Sequence, residues 1–237
     1  MNIFELLQKN RLFHNYQPLH HLADDAIYGY EALLRSTIQS NPETLFKIAM
    51  QSNILYKLDT MSIEKAFTHY SNQLNDQKLF LNMFMSTLLH PNFIRFMHSI
   101  LEVPSSPAPS IVLEMNEAKE EEAMWESPLL PIRIKMLREM GIQFAIDDFG
   151  QGATSLKKAV EIEPEYLKLD RYFATELATS DKKQKLVSLF TEYFKEDTTV
   201  VLEGIETEDD LNLAKEIGID IAQGYFIGKP QALVVGS

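Results

Sequence analysis

The chain contains no cysteine. That excludes a disulfide framework and any thiolate-ligated metal centre, and it fits a reducing compartment. Positive charge is also scarce: 22 Lys and Arg face 34 Asp and Glu, for a formal net charge of −12. A general nucleic-acid binder, or a protein docking on anionic lipid, would carry a basic surface instead. No nucleic-acid polymer is therefore expected as a partner, and no membrane insertion. An acidic protein can still bind a phosphate ligand when divalent cations mediate. No apolar run approaches the roughly 20 residues of a membrane helix. The opening segment MNIFELLQKNRLF, interrupted by Glu5, has no long apolar core and no small-residue cleavage site. Repeats and low-complexity tracts are missing, and no strand pattern is followed by GxGxxG, so nothing supports a dinucleotide fold. Proline is concentrated in VPSSPAPS, residues 103–110, which reads as a loop rather than a domain boundary. These absences leave a soluble, cytoplasmic chain, with residues 1–237 expected to form a single domain.

What is present alternates. FHNYQPL and AIYGYEALLR read as two early strands, with Asp24 and Asp25 as the turn between them. Helical spacing follows in PETLFKIAMQSN and YKLDTMSIEKAFTHYSNQL. Strand and helix patterns then take turns: KLFLNMF, HPNFIRFMHSILE, SIVLEMNE, EEEAMWESPLLPIRIKMLREMG, IQFAIDD, SLKKAVEIE, EYLKLD, KKQKLVSLFTEYFKE, TTVVLEGI, TEDDLNLAKEIG and a last strand IDIAQGYFIG. The long Glu-to-Gly helical stretch is broken around Pro128 and Pro131, and Thr207 is the expected cap of the last helix. Strands separated by helices imply parallel pairing through crossovers. About eight of them in a chain of this length predict an α/β fold, a (β/α)8 barrel, with an open doubly wound sheet as the competing architecture.

The polar residues gather where the apolar strand runs stop. Glu31 and Arg35, Asn82, Glu114 and Glu117, Asp147 and Asp148, Lys168 and Asp170, Glu203 and Glu206, and Gln223 all lie at such positions. Any one of them alone is usually a solvated strand end or a helix cap. In a barrel, however, these ends converge on the face that holds active sites. Carboxylates and amides without histidine or cysteine suit a hard divalent cation such as Mg²⁺, Mn²⁺ or Ca²⁺. Adjacent aspartates could serve two such ions, an arrangement suited to in-line displacement at phosphorus. On spacing alone, Lys168 either orients the attacking water or is a structural partner of its acidic neighbours. His20-His21 reads as a loop pair, NMFMS as core and helix entry, and EAKEEEAMWE as a solvated helix face.

These residues resemble a known family. EALLR, Glu31 to Arg35, is similar to the signature of EAL domains, the phosphodiesterases that linearise the bacterial second messenger cyclic di-GMP to pGpG. YQPL, the Leu58-Asp59 pair, Asn82, LEMNE, DDFGQGATSL, YLKLDR, LEGIET and QGYFIGKP resemble the family's other blocks, in order and over nearly the whole chain. The resemblance implies a (β/α)8 barrel whose first strand is antiparallel to the rest. It implies one metal site of Glu31, Asn82, Glu114 and Asp147, with Asp147 bridging to a second held by Asp148 and Glu203. Lys168 would contact the catalytic water. Gln17, Leu33, Arg35 and Gln223 match substrate-contacting positions. Glu117 would brace the loop after DDFG, Glu206 would act there or at the substrate, and Asp170 would support the site from behind. Mg²⁺ or Mn²⁺ would be the cofactor, Ca²⁺ an inhibitor, cyclic di-GMP the partner, and a homodimer the assembly.

The chain departs from the family pattern at Asn116 (usually Thr), at Phe84 (usually small and polar), at Gln151 to Thr154, and at Glu165 (usually Asp). None of these removes a matched ligand. They leave a catalytically weak or inactive receptor, or a protein-binding regulator, as the second reading.

Overall fold

The computed structural model describes residues 11–39, 41–71, 77–102, 109–116, 119–150 and 155–233. Eight strands close into a barrel in chain order. They are β1 (Leu12–His21), β2 (Ile27–Ser36), β3 (Lys78–Met83), β4 (Ile111–Met115), β5 (Gln143–Phe149), β6 (Tyr166–Leu169), β7 (Thr199–Glu203) and β8 (Ile221–Gln223). From β2 to β8 every pairing is parallel, whereas β1 runs antiparallel to both of its neighbours. The cause lies in the connection. Five residues separate β1 from β2, too few for the crossover that parallel strands need. Asp24 Oδ1 accepts from Ala26 N at 3.1 Å in this turn, and Asp25 takes a positive φ of 55°.

The later strands are linked by helices, as the alternation predicts. The α-helices are α1 (Pro42–Gln51), α2 (Leu55–Ser71), α3 (Met85–Leu89), α4 (Phe93–Leu101), α5 (Leu130–Glu139), α6 (Ser155–Ile162), α7 (Arg171–Ala174), α8 (Asp181–Phe194) and α9 (Glu208–Ile217). Every residue of β4 and β6 is buried, as expected for strands covered on both faces. Leu19, Phe80, Val112, Ala145, Tyr166, Val201 and Ile221 form one apolar cluster, with a residue from each of seven strands, so the barrel is packed rather than hollow. A larger apolar layer joins the strands to the helices.

Several local expectations are sharpened. The last strand stops at Gln223, because the chain turns sharply after it. A Cβ on Gly224 would lie 2.1 Å from the Ile205 carbonyl oxygen. The expected long helix is a 3-10 helix (Lys119–Glu126) followed by α5, with Pro128 in the break and a proline in the first turn of α5. The charge run is not wholly solvated: Glu121 and Trp125 are buried. His20 and His21 end β1 instead of forming a loop, and His21 Nδ1 lies 3.1 Å from Asp24 Oδ1. Met83 and Met85 are core and helix entry, as expected. Glu117, Gln151 to Thr154 and most of the proline-rich segment lie outside the described residues.

Candidate active site

Alternation along a strand places every second side chain on one face. Glu31, Leu33 and Arg35 therefore share a face of β2, and Glu114 aligns with Asn116 beyond β4. Register pairs Gln17 with Glu31, Asn82 with Glu114 and Glu203 with Gln223. Residues from six strands thus meet at the C-terminal mouth of the barrel, where Asp147 of β5 and Lys168 of β6 join them.

Asp147 and Asp148 need a further device, since consecutive strand residues point to opposite faces. The β5–β6 register shifts between Ile146 and Phe149, and Asp148 has φ 54°. This left-handed residue breaks the alternation. One oxygen from each of Asp147, Asp148 and Glu203 then falls within 4.8 Å of the others. Asn116 steadies the arrangement, donating to Asp148 Oδ2 at 3.1 Å. Sequence reasoning noticed Asn116 as a departure without giving it this contact. Its position two residues after Glu114 was the available signal.

Among the described residues, one ammonium meets four carboxylates here. Lys168 Nζ lies 2.6 Å from Glu114, 2.8 Å from Glu203, 3.0 Å from Asp147 and 3.6 Å from Glu31. The lysine is 1% exposed. Burial alone would lower its pKa, but Asp147, Glu114, Glu203 and Glu31 outweigh that and hold it well above the usual value. One positive charge does not neutralise four negatives. Burial and the Glu31 charge push Glu114 far up, and burial carries Glu203 to about 8. Burial and Asp147 raise Asp148 to about 6. Glu31 is lowered: its burial is outweighed by Lys168 and by bonds from Gln223 and Asn82, both at 2.8 Å.

The remaining donors are oxygens in want of partners. Glu114 Oε1 and Asp147 Oδ1 are buried and share the Lys168 ammonium, at 2.6 and 3.0 Å, as their partner. Gln223 Oε1 is buried and unpaired. Asn82 spends its amide N–H groups on Glu31 and Glu114, which leaves its oxygen for another group. Excess negative charge, hard oxygen donors and orphaned acceptors are what a divalent cation would satisfy, so these residues fit the ions that the sequence predicts.

A cleft runs across the mouth in two lobes that share Glu31 and Asp148. The larger, about 500 Å³, is lined by Leu33, Arg35, Phe46, Asn82 and Phe84 among others. The smaller, about 230 Å³, is lined by Gln17, Asp170, Glu203, Glu206, Gln223 and Tyr225 among others. Gln17 donates to the Gly228 carbonyl at 3.1 Å. Glu206 is exposed on the rim, outside the buried cluster. Asp170 caps α7, accepting from Tyr172 N at 2.9 Å. Glu165 takes a structural role, binding Arg138 and Phe144 N, each at 2.8 Å.

A closed barrel with a hard-cation donor set at its C-terminal mouth, opening onto a two-lobed cleft, defines the class of protein. Within that class the chain belongs to the EAL domain family, whose profile matches residues 2–230. A protein of Escherichia coli K12 named "Probable cyclic di-GMP phosphodiesterase PdeI" is 29% identical, covering 97% of this chain and 30% of its own length. Cyclic di-GMP phosphodiesterase PdeB of Shewanella oneidensis is 26% identical, covering 98% of this chain and 28% of its own. The chain thus spans about 30% of the length of these curated relatives. In fold it matches the manganese/cyclic di-GMP complex of Klebsiella pneumoniae BlrP1, with a TM-score of 0.81, 24% identity, and 96% of this chain and 62% of that one covered. The Xanthomonas citri FimX EAL domain in complex with cyclic di-GMP gives a TM-score of 0.85 at 18% identity, covering 99% and 93%. No described helix is long and apolar enough to cross a membrane.

Proposed function

We propose that the chain hydrolyses cyclic di-GMP to linear pGpG, using Mg²⁺ or Mn²⁺. The observation that carries this reading is the complete donor set. Glu31, Glu114, Asp147 and Glu203 surround one buried ammonium on the floor of the cleft, Asn82 bonds to Glu31 and Glu114, and Asp148 lies beside Asp147 and Glu203. Glu31, Asn82, Glu114 and Asp147 would hold one ion; Asp148 and Glu203, with Asp147 shared, would hold the second. Bound there, the ions would activate a water and neutralise charge on the phosphate.

The chain's own groups supply the rest. Lys168, held protonated by its carboxylates, is a donor rather than a base. It orients the attacking water and offsets charge developing at phosphorus. Glu203, in its ionised form, would take up the proton that the water releases. A bond forms from the water oxygen to phosphorus, the bond from phosphorus to the 3′-oxygen breaks, and the departing 3′-oxygen takes a proton from solvent to become a hydroxyl, opening the ring. Arg35, half-buried in the larger lobe, suits a phosphate oxygen. Leu33 borders the same lobe, and Gln17 and Gln223 border the other. The proposed assembly is a homodimer. Leu156 and Val160 on α6, with Leu186, Leu189 and Tyr193 on α8, are exposed apolar side chains available to it.

Incubation of the purified protein with cyclic di-GMP and Mn²⁺ should yield pGpG, and Ca²⁺ in place of Mn²⁺ should suppress it. Tight nucleotide binding without product would replace hydrolysis by a receptor role. Neither binding nor product would overturn both.

A further inference from the structure

The loop after β3 is held in an unusual way. Phe84 is the N-cap residue of α3, and its side chain makes no capping bond. A helix start normally satisfies its free N–H groups with a nearby Ser, Thr, Asp or Asn. Here two distant carboxylates do so. Asp59 Oδ2, from α2, accepts from Phe84 N at 3.0 Å. Glu121, from the 3-10 helix, accepts from Met85 N at 2.6 Å and Ser86 N at 3.2 Å, and also from the Ser86 hydroxyl. Both carboxylates are buried. Three consecutive backbone donors are thus clamped from two sides.

The clamp fixes the backbone that carries the Phe84 ring. That ring lines the larger lobe of the cleft and packs against Phe46 at 4.9 Å between centroids, tilted by 54°. Both phenylalanines are half-buried, so each keeps surface toward the lobe. Arg35 and Lys47 line the same lobe. The opposite lobe presents Tyr225, an exposed ring. Aromatic surface therefore flanks the carboxylate floor on both sides. A flat ring system stacks on such surface with little regard to its edge pattern.

We propose that Phe84, with Phe46, is a base-stacking wall of the larger lobe. One purine base of the nucleotide stacks on it, and Asp59 and Glu121 are positioning residues that hold it there. This rests on the cyclic di-GMP reading above. The wall supplies affinity for the base, and the chemistry at phosphorus does not depend on it.

The test is calorimetric titration with cyclic di-GMP in Ca²⁺, beside steady-state kinetics in Mn²⁺. Phe84→Leu keeps apolar volume but loses the π-face. It should weaken binding about 5- to 150-fold, the range for losing one stacked base, while kcat and Mn²⁺ affinity stay within about twofold. Glu121→Ala should raise KM with kcat unchanged, and Glu121→Gln, which keeps an acceptor for the backbone, should recover most of the loss. Wild-type affinity in Phe84→Leu, or a Glu121→Ala defect confined to kcat, would overturn the wall while leaving the assigned reaction intact. A wild-type protein that binds no cyclic di-GMP would overturn both.

Discussion

Two lysines lie at opposite ends of the same barrel, and their surroundings differ completely. Lys78, at the start of β3, donates to the Gln143 amide oxygen at 2.6 Å and sits 5.8 and 5.7 Å from the Tyr28 and Tyr166 ring centroids. Its partners are mostly neutral, and burial lowers its pKa. Tyr28 and Tyr166 close that end with a hydroxyl–hydroxyl bond of 2.6 Å. Lys168, at the other end, faces four carboxylates and is held strongly protonated. At the first end the lysine is partnered and the rings are packed, and among the unpaired buried atoms only Gln77 Oε1 lies beside them. The second keeps surplus charge and unpartnered oxygens. In a barrel of this kind, polar groups at the N-terminal end serve stability and those at the C-terminal end serve chemistry. The two lysines make that division visible within one molecule.

The contrast can be broken most sharply by exchanging the charge. Lys168→Met and Asp147→Asn should each reduce kcat by about a thousandfold or more, whereas Lys78→Met should leave kcat within about twofold. Initial rates of pGpG formation decide it, and equal losses at both lysines would erase the distinction. A smaller effect is expected from pH. Glu203 titrates near 8 in the folded chain and near the ordinary carboxylate value when unfolded. Its contribution to stability is full below the unfolded value and is lost as pH rises through 8. The metal-free protein should therefore melt at lower temperature at pH 9 than at pH 6. Added Mn²⁺ should raise Tm more at pH 9, where the carboxylates are free of protons. A flat Tm across this range would contradict the surplus charge. The smallest effect belongs to the Lys78 end: Tyr166→Phe should cost about 1 kcal/mol in denaturant unfolding and leave kcat unchanged.

The barrel was legible because alternating strand and helix patterns leave few topologies, whereas the reversed first strand was implied by the family resemblance, which the short β1–β2 link fits. Lys168, Asp147 and their neighbours were legible because each ends an apolar run. Other features depend on contacts between distant segments. Glu121 sits in a charge run that reads as solvated, yet it caps Met85, 36 residues earlier. Asp59 stands out in the sequence only as part of a block resembling the family, with no role attached, yet burial pushes its pKa to about 7 while it holds Phe84 N. Nothing local marks either as a cap, since the N-cap residue they serve, Phe84, has no capping side chain of its own. The positive φ at Asp148 was equally hidden, because aspartate gives no warning of a left-handed conformation as glycine would.

The reversed β1 has a mechanical consequence. Leu12 pairs with Ser36 at the mouth, and β1 then descends to the opposite end. β8 rises to finish at Gln223, and the segment beyond it returns to pair Gln231 with Tyr16. The polypeptide therefore enters and leaves the barrel on the side of the carboxylates. A force applied at either terminus acts within a few residues of Gln17 or Gln223. Had β1 been parallel like the others, the entering strand would have anchored at the sealed end, with the packed barrel between any tug and the cleft.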